Sequence, residues 1–260
     1  MEPTPTAYFR FVPRGHPILQ HRAYRAALAA CMTLSFVFLF AIVAFAQDGA
    51  PAGVQDKRQN APGEFDFYVL ALSWSPTYCA ERDERGSSRK PDPQCNGRPF
   101  AFVVHGLWPQ YERGFPSYCQ VPAPRLDRGM ISRALELMPS PALVLHEWDR
   151  HGTCSGLSAG AYFETMRKAR AVVKIPADYL DLAAPVTVTP DEVAEAFVRI
   201  NPGLSRADMA VGCNKTRLTE VRLCMGKDFS FHACPDVVRH ACTREKVEMP
   251  AMRSAHASAQ

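Results

Sequence analysis

From Phe65 the chain alternates Phe65, Phe67, Val69, Ala71 and Ser73 with Asp66, Tyr68, Leu70, Leu72 and Trp74. Both sets are mostly apolar, which predicts a strand buried on both faces, ended by Pro76. A second apolar run, Phe100 to Val104, reads as another buried strand and leads directly into His105. Between them residues 80–98 are polar and predict a surface loop, with Cys79 and Cys95 at its two ends. Leu126, Met130, Ile131, Ala134, Leu135 and Met138 recur at helical spacing and predict a helix over 126–137, stopped by Pro139 and Pro141. Residues 142–150 suit a short helix. Residues 159–173 suit a longer one, with Tyr162, Phe163, Met166 and Ala169 along one face. Thr189-Pro190-Asp191-Glu192 combines an N-cap, a first-turn proline and a glutamate three residues after the cap. That helix is expected to reach Ile200 and halt at Asn201-Pro202-Gly203. Residues 209–213, 218–225 and 229–232 predict short antiparallel strands. Helices and strands mix without a βαβ rhythm, so the fold class is α+β, a mainly antiparallel central sheet with several helices packed on it.

The N-terminal pattern is different. Residues 1–25 carry Arg10, Arg14, Arg22 and Arg25 against one acid, Glu2, and an apolar stretch runs from Ala26 to Ala46. A basic segment, an apolar core and Ala44-Phe45-Ala46 before Gln47 make a secretory signal peptide over 1–46. The competing reading is an uncleaved anchor, since about 20 apolar residues suffice to span a bilayer. Residues 47–64, rich in Ala, Gly, Gln and Pro, read as a flexible linker, residues 65–246 as the folded domain and 247–260 as a flexible tail.

Composition changes meaning once the leader is set aside. The whole chain has 260 residues, 30 Lys+Arg, 26 Asp+Glu, nine Cys and a net charge of +4. Without residues 1–46 there remain 214 residues, 26 basic and 25 acidic groups, a net charge of +1 and eight cysteines. Bulk basicity therefore gives no case for a polyanionic partner. Eight thiols entering an oxidising compartment predict up to four disulfides, whose pairing spacing alone does not choose. The absence of paired C-x-x-C motifs makes a structural zinc site a poor fit.

Three of the eight histidines sit in two unusual contexts, His105 in FVVHGLWP and His146 and His151 in HEWDRHGTC. A metalloprotease site needs histidines four apart on one helical face. Here they are five apart, about 140° around a helix, and Arg150 occupies the position of the second ligand. His146 and Arg150 instead share one stripe at i, i+4, and Glu147 and His151 share the next. One stripe offers donors to an anion. The other offers an imidazole beside a carboxylate, which favours the imidazolium. With His105 from another strand, the set supplies a histidine acid and base and cationic donors for a charged transition state, which is phosphoryl-transfer chemistry without a metal or cofactor. His232, His240 and His256 lack such contexts and are set aside as ordinary histidines.

These two segments resemble the active-site segments of the ribonuclease T2 family of secreted acid ribonucleases, and the resemblance extends through FDFYVLALSWSPTYC, VTPDEVAEAFVRINPG and LTEVRLCMGKDFSFHACP. It implies a T2-type fold and metal-independent cleavage of single-stranded RNA with little base preference, through a 2′,3′-cyclic phosphate to a 3′-phosphate. By resemblance His151 is the general base, His105 the general acid and His146 the phosphate-binding histidine, while Glu147 and Arg150 stabilise the transition state. Family members commonly carry Lys where this chain has Arg150, and some carry Asp at Gln110 as a base reader. Leu143 stands where an aromatic is often found. The resemblance also implies the pairings Cys119 with Cys154, Cys213 with Cys242, Cys224 with Cys234 and Cys79 with Cys95.

For base binding, Trp108 is either a stacking platform or packing at the strand end, and Tyr111 or Phe115 would close the other side. Trp74 and Trp148 are expected in the core. The expected partner is single-stranded RNA rather than DNA, with no membrane after signal cleavage, on a monomer in the periplasm or outside the cell. The alternative is a secreted binding or signalling protein on a ribonuclease scaffold, against which the intact His105, His146, Glu147 and His151 argue.

Overall fold

The computed structural model describes residues 60–86 and 92–253. The leader, most of the predicted linker, His256 and the last seven residues lie outside the described residues. A four-stranded antiparallel sheet has the order β2-β1-β5-β4, built from β1 (Phe67–Trp74), β2 (Phe102–Gln110), β4 (Met209–Cys213) and β5 (Leu218–Met225). The central strand β1 is covered on both sides, as its unbroken apolar run predicts. Tyr68, Leu70, Leu72 and Trp74 enter the main core with the helices, whereas Phe67 and Val69 join a smaller cluster with Ala210, Cys224, Cys234 and Val237.

Among the described residues seven α-helices surround the sheet: α1 (Ser75–Glu84), α2 (Pro93–Asn96), α3 (Arg128–Ala134), α4 (Pro141–Arg150), α5 (Ala159–Val172), α6 (Pro190–Ile200) and α7 (Pro235–Val238). The capping box at Thr189 is formed, with Glu192 N–H donating to Thr189 Oγ1 at 3.0 Å and Thr189 N–H to Glu192 Oε2 at 2.6 Å. Trp74 and Trp148 are both buried in the main core.

The prediction of a loop over 80–98 is corrected. Pro76 does end β1, but it does so by opening α1, where a first-turn proline has no hydrogen bond to lose. Asp92 then caps α2, accepting from Gln94 N–H at 3.0 Å, and Cys79–Cys95 ties the two helices together. The strand predicted at 229–232 reduces to one bridge between Met225 and Phe231. The tail assignment is corrected as well: Val247–Met249 is strand β6, paired antiparallel with β3 (Val186–Val188). These three-residue strands are too short to carry a period. Residues 60–64, assigned to the linker, are held down: Asn60 N–H donates to Tyr111 Oη at 3.2 Å, Asn60 Oδ1 accepts from Ser117 N–H at 2.9 Å, and Gly63 N–H donates to Cys154 O at 2.9 Å.

Four disulfides form, Cys79–Cys95, Cys119–Cys154, Cys213–Cys242 and Cys224–Cys234. Cys119–Cys154 fastens the loop after β2 to the turn that follows α4, so it joins the two histidine-bearing segments. Cys224–Cys234 and Cys213–Cys242 fold the C-terminal region, with α7, back onto β5 and β4.

Candidate active site

His105 owes its position to an irregularity in β2. Ala71 pairs with Gly106 and the next residue, Leu72, pairs with Val104, so His105 is the extra residue of a bulge. A bulge re-aims the side chain it carries and keeps the alternation correct on both sides. Val104 and Leu107 can then both face the main core, while Trp108 faces the smaller cluster.

Helix α4 brings the second segment against this strand. Glu147 is buried and accepts from Trp108 Nε1–H at 2.7 Å, and its other oxygen lies 3.6 Å from His105 Nε2. Only glycine fits beneath it. A Cβ on Gly106 would stand 2.0 Å from Glu147 Oε2 and 2.3 Å from Trp108 Nε1. Gly152 is equally constrained, since a Cβ there would meet the Trp148 ring at 2.4 Å. The Trp108 ring also touches both catalytic candidates, with centroids 5.3 Å from His105 at 80° and 5.3 Å from His151 at 29°.

His105, Trp108, Gln110, Phe115, His146, Glu147, Arg150 and His151 line one open cleft. Tyr111 does not: it is buried in the main core, which removes it as a stacking partner. Phe115 is 48% exposed and presents its ring at the cleft, 6.5 Å from the His151 ring, with the Arg150 guanidinium 6.0 Å away. Leu143 packs against the core.

The two histidines sit in opposite electrostatic settings. Burial opposes a charge on His105, but the hydrogen bond it donates to Glu220 and the charges of Glu147 and Glu220 outweigh it and raise its pKa above the ordinary imidazole value, against the pull of Arg222. His151 has no such support. Burial, followed by the charges of Arg150, His146 and His105, pushes it down to about 3, and its buried Nδ1 has no hydrogen-bond partner among the described residues. The expected carboxylate beside His151 is therefore corrected. Glu147 turns toward β2, and His151 caps the helix with its backbone while its ring lies against Trp108.

Burial raises Glu147 to about 7, opposed by His105, the Trp108 hydrogen bond and Arg150. His146, exposed at the rim, is lowered by desolvation and by Arg150 and His105. Arg150 keeps a buried Nε with no hydrogen-bond partner among the described residues. The cleft thus holds one imidazole biased toward its protonated form, two biased toward neutrality and a guanidinium around a single open space, which suits taking one proton from a bound group and giving another to it.

The ribonuclease T2 family model matches residues 65–234. The chain belongs to the ribonuclease T2 family. A ribonuclease of Aeromonas hydrophila is 51% identical over 106 residues, covering 39% of this chain and 43% of that protein. A protein described as a probable ribonuclease of Haemophilus influenzae is 32% identical over 185 residues, covering 68% of this chain and 63% of its own length. The chain thus spans less than two thirds of both relatives. The solved structure of RNase NT in complex with 5′-AMP superposes with a TM-score of 0.56 at 26% identity, covering 72% of this chain and 99% of that one.

In this T2-family chain the cleft is also lined by residues outside the two histidine segments, among them Arg222, Asp236, Val237 and His240. Glu220 lies just behind, against His105 Nδ1 at 3.1 Å. His240 is brought in by α7, whose Asp236 accepts Gly114 N–H at 3.0 Å and so anchors the cleft's far wall to the loop after β2. His232 stays outside the cleft, 3.2 Å from Glu112. The nested C-terminal cysteines were the available signal for His240, because they force that segment back onto the sheet.

Proposed function

We propose that the protein is an endoribonuclease of the T2 type that cleaves single-stranded RNA with low base specificity, without a metal, through a 2′,3′-cyclic phosphate. The observation that carries this reading is the convergence of His105 and His151 with His146, Glu147 and Arg150 on one cleft, in opposite settings that lower the pKa of His151 and raise that of His105. Neutral His151 takes the proton of the ribose 2′-OH as that oxygen attacks phosphorus. His105 gives a proton to the departing 5′-oxygen as its bond to phosphorus breaks. Arg150 and His146 donate to the phosphoryl oxygens, and Glu147 fixes the charge balance between Arg150 and His105. The nucleophile belongs to the substrate, so the protein has only to move protons and stabilise charge.

Exposed Phe115 offers a stacking face that accepts any base, which supports low specificity. The 5′-AMP bound by the similar RNase NT supports a nucleotide in this cleft. Four disulfides, together with the signal-like N-terminus, support a secreted or periplasmic location.

The test is RNA hydrolysis in EDTA between pH 5 and 8, following cyclic phosphate by 31P NMR. Activity with cyclic phosphate as the first product is expected, and its loss in the His105→Ala, His151→Ala double variant. An inactive wild type, or a fully active double variant, overturns the reading.

A further inference from the structure

The carboxylate that holds His105 does not come from either histidine segment. Ser73 of β1 pairs with Glu220 of β5 on one side and with Val103 of β2 on the other, and Ala71 pairs with Arg222 and Gly106. Residues directly opposite in antiparallel strands share a face, so Glu220, Arg222 and the bulge at His105 all rise from the cleft side of the sheet. Strands β2 and β5 stand about 10 Å apart across β1. Their side chains meet because β1 offers only Ala71 and Ser73 between them.

The contacts are specific. Glu220 is buried, and its Oε2 lies 3.1 Å from His105 Nδ1. Its other oxygen accepts from Arg222 Nε–H at 2.7 Å. The Arg222 guanidinium in turn lies 5.6 Å from the centre of the Trp108 ring. Each lone pair of the carboxylate that matters here is thus used, and Arg222 fixes its rotamer.

We propose that Glu220 is a positioning residue for His105, clamped by Arg222, which keeps the proton on Nδ1 and so leaves Nε2 as the nitrogen that delivers a proton to the leaving oxygen. This rests on the assignment of His105 as general acid. With Nδ1–H bound to Glu220 before and after transfer, the proton lost to the 5′-oxygen is the one on Nε2, the nitrogen facing Glu147 in the cleft. His105 is left as the neutral Nδ1–H tautomer with a lone pair on Nε2, the form needed to accept a proton from water when the cyclic phosphate is hydrolysed. Glu147 alone is a weaker support, because its own carboxyl is raised to about 7 and loses its charge where His105 must keep one. Glu220 stays ionised: burial works against its charge, but His105 and Arg222 hold its pKa below the ordinary value.

The experiment compares RNA with a nucleoside 3′-(4-nitrophenyl phosphate), whose leaving group departs without protonation. His105→Ala should lose far more activity on RNA than on the aryl ester; if it loses both equally, the general-acid reading fails and the positioning proposal falls with it. Given that split, Glu220→Gln should lower kcat on RNA about 10- to 100-fold with KM changed less than about threefold, shift the alkaline limb of kcat/KM to lower pH, and leave aryl ester cleavage near wild type. Glu220→Asp should recover part of the loss. Wild-type kcat and pH profile in Glu220→Gln overturn the proposal, as does equal loss on both substrates, which a merely structural role would give. The wild-type protein supplies a readout that needs no variant: 15N shifts of the His105 ring above its pKa should report Nδ1–H, and an Nε2–H tautomer overturns the proposal.

Discussion

Replacing Gly106 by alanine should disable the site while adding a single methyl group. The new Cβ would lie 2.0 Å from Glu147 Oε2, 2.3 Å from Trp108 Nε1 and 2.9 Å from Glu147 Cδ, so the carboxylate must retreat by roughly 1 Å or more before contact distances are restored. The 2.7 Å hydrogen bond from Trp108 to Glu147 cannot survive that movement. Losing a buried hydrogen bond to a charged group costs about 1.5–3 kcal/mol, and overpacking adds about 1–3 kcal/mol. The lower backbone entropy of alanine in the unfolded chain returns about 0.5–1 kcal/mol, so a net loss of about 2–5 kcal/mol is expected in urea unfolding. A displacement of about 1 Å at a group beside the general acid is expected to lower kcat about 100-fold. Gly160 is the control. It lies in helix α5 with nothing within 4 Å of a built Cβ, so Gly160→Ala should stabilise by up to about 1 kcal/mol and leave kcat unchanged. Wild-type stability and kcat in Gly106→Ala would show that the close approach of Glu147 to β2 is not what the glycine serves.

The remaining predictions concern charge. Since the base must be deprotonated and the acid protonated, kcat/KM should rise with pH through about 3 as His151 loses its proton and fall above pH 6.5 as His105 loses its own; a rising limb centred near pH 6 would contradict the environment assigned to His151. Glu147→Gln should lower kcat about 10- to 100-fold while KM changes less than about threefold, and an unchanged kcat would remove Glu147 from the transition-state groups. Arg150→Lys keeps the positive charge and should stay within about tenfold of wild-type kcat, whereas Arg150→Met should not.

Much of this was legible in the sequence for identifiable reasons. The unbroken apolar run at β1 signals burial on both faces because a strand with one wet face would alternate. The capping box at Thr189 is a local motif whose partners lie within three residues, so nothing distant is needed to read it. The site's electrostatics were not legible, because they are set by sheet register. Glu147 and His151 share a helical stripe, yet the carboxylate goes to Trp108 and His105, an arrangement fixed by the bulge in β2 and by the methyl-free surface of Gly106. Glu220 and Arg222 look like ordinary solvated positions in LTEVRLC. The signal that would have found them is a pair of opposite charges at i, i+2 in an otherwise apolar strand, which must share a face and place one charge against the sheet. Pro76 is at once the stop of β1 and the start of α1, two roles that one proline in a sequence does not distinguish.

The split between the two histidines also governs what becomes of the product. In the proposed mechanism, hydrolysis of the cyclic phosphate runs the proton transfers in reverse, with His105 taking a proton from water and His151 giving one to the 2′-oxygen. The enzyme form needed has His151 protonated and His105 neutral, which is the disfavoured state of both. With His151 at about 3, only about 1% of it carries a proton at pH 5, and the carboxylates that raise the pKa of His105 keep its neutral form the minor one there as well. The product of the two fractions is smaller than either alone, and because one falls as the other rises, it stays the same across the whole plateau between the two pKa values. Cleavage uses the abundant form and hydrolysis the rare one. A 31P NMR time course should therefore show 2′,3′-cyclic phosphate accumulating to nearly the full amount of cleaved bonds before 3′-phosphate appears, with a ratio of the two rates that does not change between pH 4 and 6. Appearance of 3′-phosphate without a preceding cyclic phosphate, or a rate ratio that changes tenfold per pH unit in that window, would mean that the two histidines are not held in opposite protonation states.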